Sequence, residues 1–169
     1  MPLDRLLHAI GVTAIGLIAG TALAHVFELP HKLAMDGPTW LSVQRVLYNG
    51  WGRKLLILDL LAIAALGWLS WRSESARRAA LTALLLLGIA DVVVFLVWIQ
   101  PTNLAVDNWT GTTPMADWQL LRSRWEWGHT ARACLLAAAT AVAALADSNP
   151  DPKLFANAHS SCRAGAGRG

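Results

Sequence analysis

The side chains best suited to chemistry lie on one stretch, R-W-E-W-G-H-T-A-R, at residues 124–132. Residues three or four apart share a helical face, so Trp118, Arg122, Trp125, His129 and Arg132 form one stripe. An imidazole can give or take a proton near neutral pH. Guanidiniums can hold an oxyanion, and indole rings can stack on a flat molecule. Arg132 lies about two turns beyond Trp125, and residues 133–146 after it are almost pure hydrocarbon. A charge that deep in an apolar helix requires a partner or water. A second polar stripe, Thr21, His25 and Glu28, closes the first apolar run.

The elements that must position these stripes follow from composition. Hydrophobic residues make up 55% of the 169-residue chain and charged ones only 15%, with a mean hydropathy of +0.43. A soluble domain carries about 25% charged residues, so lipid is the expected solvent. The net charge of +3 is scattered, with no basic stripe for nucleic acid. Cys134 and Cys162 make no disulfide framework or thiolate metal site. The pattern predicts an all-α integral membrane four-helix bundle over residues 1–146, with spans at 6–29, 55–71, 79–99 and 118–146. Each approaches or exceeds the ~20 residues that cross a bilayer. Gly16 and Gly20 form a G-x-x-x-G, a motif for close helix approach.

Between the spans, Pro30 is expected to stop the first helix and leave His31 and Lys32 outside it. Asp36-Gly37-Pro38 reads as a turn and Thr39 as the N-cap of a short interfacial helix over residues 40–47. Trp40, Tyr48 and Trp51 suit the headgroup level. Residues 72–78 form a short link. Residues 100–116 form a turn-rich loop with Asp107, Asn108, Gly111, Thr112 and Pro114, and Asp117 caps the last helix. The polar tail, 147–169, is expected to be disordered. The first span also has features of a secretory signal, with Ala22-Leu23-Ala24 at the cleavage position. Asp4 weakens its positive start and three spans follow, so it is expected to be retained.

Four spans bring both ends of the bundle to one side, and Arg72, Arg77 and Arg78 mark that side as cytoplasmic. His25, Glu28, Asp59, Asp91 and residues 125–132 then converge in the opposite half. Arg132 is expected to pair with Asp91 or Asp59. His25 and His129 should share the interior, and Trp125 should turn inward. Two alternatives come from the same residues. Glu126-x-x-His129 and His25-x-x-Glu28, with the two aspartates, supply the ligand types of a di-metal four-helix bundle. A non-enzymatic membrane protein would use the cluster only to fix its helices.

The runs A-L-A-H-V-F-E-L-P (22–30), Y-N-G-W (48–51), P-T-N (101–103) and R-W-x-x-x-H-x-x-R (124–132) resemble the small four-helix membrane proteins classed with the anthrone oxygenases. Much of that family is of unknown function, and the early run is similar to its bacterial members. The resemblance covers about residues 6–146 in the same span and loop order. It implies a bacterial inner or plasma membrane enzyme that inserts oxygen into a tricyclic anthrone to give a quinone. It implies no metal, flavin or other cofactor, and its motif falls on Asn103, Trp125, His129 and Arg132. Beside it, the residues themselves suggest His129 or His25 as general base, tuned by Glu28 or Glu126. Arg132 and Asn103 would hold an enolate oxygen. The expected partners are the bilayer and an apolar aromatic small molecule.

This order of spans has a direct check. A reporter fused after Ser73 should fall in the cytoplasm and one fused after Gly111 on the opposite side. Both on one side would break the four-span topology.

Overall fold

The computed structural model describes residues 3–111, 113 and 115–145, all of them in helices or the turns between them. The elements are α1 (Leu3–Ala34), α2 (Gly37–Leu47), α3 (Trp51–Arg72), α4 (Glu74–Gly88), a π-helical segment (Ile89–Ile99), α5 (Gln100–Asn108) and α6 (Trp118–Leu145). α4, the π segment and α5 run on as one rod. Four helices are therefore long and apolar enough to cross a membrane. The expected disordered tail, with Thr112 and Pro114, lies outside the described residues.

The spans pack in a ring: α1 against α3 and α6, and α4 against α3 and α6. One half of the bundle is sealed by Ile15, Ile18, Leu66, Leu87 and Leu136, interleaved with alanines that let the backbones approach. At the other half, α2 folds over the end, and Trp40, Leu41, Val94, Ile99, Val106 and Trp125 form a second core.

Five expectations are corrected. Pro30 does not stop α1, which runs on to Ala34. A proline inside a helix forfeits one backbone hydrogen bond, and here neighbouring groups hold the turn that follows. Arg122 of α6 donates from Nη1 to the carbonyls of Lys32 and Met35, which caps the end of α1 with a cation. Next, α2 starts at Gly37 and not after Thr39. Asp36 is its N-cap, and its carboxylate accepts the Thr39 N–H at 2.8 Å. Pro38 fits the first turn because no N–H is needed there. Trp40, expected as a ring facing the headgroups, is wholly buried inside the protein.

The third span passes Pro101, which lies in the first turn of α5, so Asn103 is on a helix rather than in a loop. The π segment is recognised by hydrogen bonds five residues long, such as Gln100 N–H to the Phe95 carbonyl. Last, the expected 72–78 link shrinks to Ser73. Its Oγ accepts the Ala76 N–H, and its own N–H donates to the Leu69 carbonyl.

Close approach occurs away from the G-x-x-x-G. A Cβ on Gly20 would meet nothing within 4 Å, whereas one on Gly11 would lie 3.2 Å from Leu66 Cδ2. The tightest place is Gly128 of α6, where a Cβ would stand 2.7 Å from Ile99 Cγ1. Ile99 is buried and stiff at χ1, so it cannot swing aside. Gly128→Ala should therefore destabilise the bundle by ~1–3 kcal/mol, as overpacked cores do. Combined with Ile99→Ala, it should cost less than the sum of the two single changes, read as thermal unfolding in detergent.

Candidate functional site

Two helical stripes build the site. α1 brings His25, Glu28 and Lys32 to one face, and α6 brings Trp125, His129 and Arg132 to the face opposite. The His25 and His129 rings meet with centroids 4.2 Å apart and planes at 37°. Trp125 lies against both, at 4.9 Å from His25 and 4.2 Å from His129. Tyr48, in the turn after α2, closes the box at 4.8 Å from His25 and 5.4 Å from Trp125. Each ring is thus braced by the others, with edge and tilted contacts favoured by their quadrupoles. Trp127 takes the other side of α6 and is 53% exposed, so it faces outward.

At the centre of the α1 stripe is Lys32, only 2% exposed. Its Nζ lies 2.7 Å from Glu28 Oε2, 2.9 Å from His25 Nδ1 and 3.8 Å from Glu126 Oε2. It also stands over the Tyr48 and Trp125 rings at 4.4 and 4.8 Å. A buried ammonium needs this many partners, because its desolvation alone would cost several kcal/mol. An ammonium has donors and no acceptor. Nδ1 of His25 must therefore accept, which places the ring proton on Nε2.

Lys32 was not expected here. Allowing α1 through Pro30 would have found it, since Lys32 is i+4 from Glu28 and i+7 from His25. Tyr48 was likewise read as an interface aromatic. Its hydroxyl donates to Glu28 Oε2.

The second polar centre lies deeper. Arg132 donates from Nε and Nη2 to Asp91 Oδ1 at 3.0 and 2.6 Å. Of the two expected partners, Asp91 is the one bonded. Asp59 shares the cavity wall, and its buried Oδ1 has no hydrogen-bond partner. Asn103 is not directed at the cavity alone. Its Oδ1 accepts the Trp125 indole N–H at 2.8 Å, and its Nδ2 donates to Gln100 at 3.1 Å.

Between the two centres is a half-open cavity of about 610 Å³, within the range of small-molecule pockets. His25, Asn103, Trp125, His129 and Arg132 line it together, and Glu28 stands behind them, bonded to Lys32 and Tyr48 and 3.8 Å from His25 Nδ1. Trp40 does not line it and packs in the second core. Among the described residues, no three of His, Cys, Asp and Glu gather in a way that could hold a metal ion. Between Glu28, His25 and Glu126 the cation is the Lys32 ammonium, while Asp91 is engaged by Arg132.

Comparison with known proteins came up empty. No family model, curated protein or solved structure matches the chain.

Tyr48 lies outside the spans and is the sequence's one tyrosine. Burial first, then the hydrogen bond to Glu28 and its charge, push the phenol well above its ordinary value. Because the folded value is raised, this contribution to stability is complete below about pH 10, the ordinary phenol value, and fades as pH rises beyond it. Tyrosinate absorbance should appear near pH 10 in denaturant and distinctly later in the folded protein. Coincident titrations would show that the phenol is not held.

Proposed function

We propose that this integral membrane protein is an oxygenase-type enzyme that acts without metal or flavin on a flat, apolar, anthrone-like molecule. The supporting observation is the His25–His129 pair, 4.2 Å apart, in one cavity with Trp125 and Arg132. His129 is the general base. Its Nδ1 has no hydrogen-bond partner, and no cation donates to it as Lys32 does to His25. It takes a proton from the activated CH₂ of the substrate. The electron pair moves across the central ring onto the ketone oxygen as an enolate, held by the Arg132 guanidinium and by His25 Nε2–H. The carbanionic carbon then adds dioxygen, the co-reactant. Loss of one water leaves a carbonyl, so CH₂ and O₂ become C=O and H₂O.

Trp125 stacks on the ring. Asn103 is a positioning residue that fixes the Trp125 indole through its N–H, rather than an enolate donor. Lys32 sets the tautomer of His25, and Glu28 acts through Lys32. In the bacterial inner or plasma membrane, both ends of the bundle face the cytoplasm. α2 then lies at the opposite interface and presents Val46 and Leu47, both exposed, to the lipid headgroups.

The purified protein in lipid nanodiscs, given 1,8-dihydroxyanthrone in air, should consume oxygen and form the quinone faster than autoxidation. His129→Ala should slow this by about 10²–10⁴-fold, the usual worth of a positioned base. Uptake no faster than autoxidation, unchanged in the variant, rejects the reading.

A second reading rests on the Arg132–Asp91 pair, which joins α6 to the third span. In a non-enzymatic bundle that pair is structural alone. Exchanging the two residues separates the readings. Regained stability with lost oxygen uptake marks a site, whereas a bundle that tolerates the exchange and shows no uptake in either form is a scaffold.

A further inference from the structure

Leu56, Val92 and Leu96 combine two properties. All three line the cavity, and they are 53%, 58% and 54% exposed on the outside of the bundle. Side chains that do both stand on the rim of an opening. Leu56 is on α3, and Val92 and Leu96 are one turn apart on the π segment. The packing explains the opening. α3 is held mainly by α1 and α4, while the π segment is held by α6, α4 and α5. The two walls come close where the tip of the Phe95 ring lies against Gly52, and the gap is beside that contact.

The opening lies at membrane depth. Leu56 is five residues past Trp51, about 7.5 Å along α3 at 1.5 Å per residue, and all three rim residues belong to apolar spans. On this lateral side the rim is hydrocarbon, while towards the α2 end it passes into the exposed polar residues Asn49, Arg53 and Asp107. His25, His129 and Arg132 lie on the opposite wall, on α1 and α6. At the end of the bundle, α2 is strapped to α5. Arg45 donates to the Trp109 carbonyl, and its guanidinium lies 5.1 Å over the Trp109 ring.

We propose that the gap between α3 and the π segment is a lateral portal and that the cavity's ligand is a membrane-dissolved amphiphile. A flat, polar-edged ring sits against Trp125 and the histidines, and a hydrocarbon chain trails between Leu56 and Leu96 into the bilayer. This rests on the small-molecule reading above and adds to it the substrate class and the path of access. Lipid outside the portal is a better solvent for the chain than any protein pocket of this size need be. The cavity has only to enclose the ring. Long π-helical stretches are rare and gather at functional sites.

The test uses the full chain in nanodiscs and two coloured probes. One is 1,8-dihydroxyanthraquinone, and the other is the same ring with a twelve-carbon alkyl chain. The tailed ring should bind at least as tightly as the bare one. Val92→Trp with Leu96→Trp should weaken the tailed ring roughly tenfold, or 1.4 kcal/mol, and the bare ring far less. Leu85→Trp, on an exposed face away from the gap, should bind both rings as the parent does. Should the narrowed portal compromise folding, the paired Leu56→Ala and Leu96→Ala variant widens it instead, and should speed uptake of the tailed ring from donor vesicles. Binding of the bare ring with exclusion of the tailed one overturns the portal and leaves the site reading intact. Tailed-ring binding and uptake that neither portal variant changes also overturn it. Failure of both rings to bind the unaltered protein overturns the small-molecule reading itself.

Discussion

The polar half of this bundle is arranged around one buried ammonium. Lys32 contacts Glu28 and His25 and lies near Glu126, with two aromatic rings beneath it. It can be there only because α1 persists beyond Pro30, and that last turn is anchored by Arg122 reaching across from α6. A helix end, a cation cap and a buried charge are thus mutually dependent. The arrangement joins α1, α6 and the turn after α2, which are the three places from which the aromatic box is assembled.

The site has two charged centres of matching design. Lys32 lies between Glu28 and Glu126, and Arg132 is bonded to Asp91 with Asp59 on the same cavity wall. In each case one cation stands near two carboxylates that come from different helices and bonds one of them closely. The histidine pair lies between them. Such centres are weak sources of net stability, since removing charges from water offsets most of the attraction. Their value is in fixing rotation and depth: each helix has one orientation in which its charge meets its counterpart.

How much of this the sequence disclosed depended on the kind of signal. The spans followed from apolar length. The meeting of the α1 and α6 stripes followed from helical periodicity and the need of polar groups to turn inward. Arg132 had two aspartates within reach, and nothing in their order told Asp91 from Asp59. Lys32 is hidden in the sequence because Pro30 signals a stop, whereas tertiary contacts override that local preference. Trp40 and Tyr48 were read as belt aromatics because a ring for the interface and a ring for the core have the same composition. The π segment leaves no mark in I-A-D-V-V-V-F-L-V-W-I, which is equally apolar in either helical form. Asn103 reads as loop because Pro101 and the turn residues after it signal an exit, whereas Pro101 fits the first turn of α5 and leaves Asn103 on a helix facing Trp125.

The one-residue joint at Ser73 has a bearing on how the protein is made. With no room for a loop, α3 and α4 emerge as a hairpin and enter the bilayer together, and they bring Asp59 and Asp91 with them. The guanidinium that will serve Asp91 is encoded 41 residues later. At roughly 5–20 residues per second, the ribosome takes about 2–8 s to reach it. For that interval Asp91 lacks the guanidinium that it is bonded to in the folded bundle. An acid without its cation is costly at membrane depth. The last span thus completes the fold and also brings the counter-charge that an earlier one lacks.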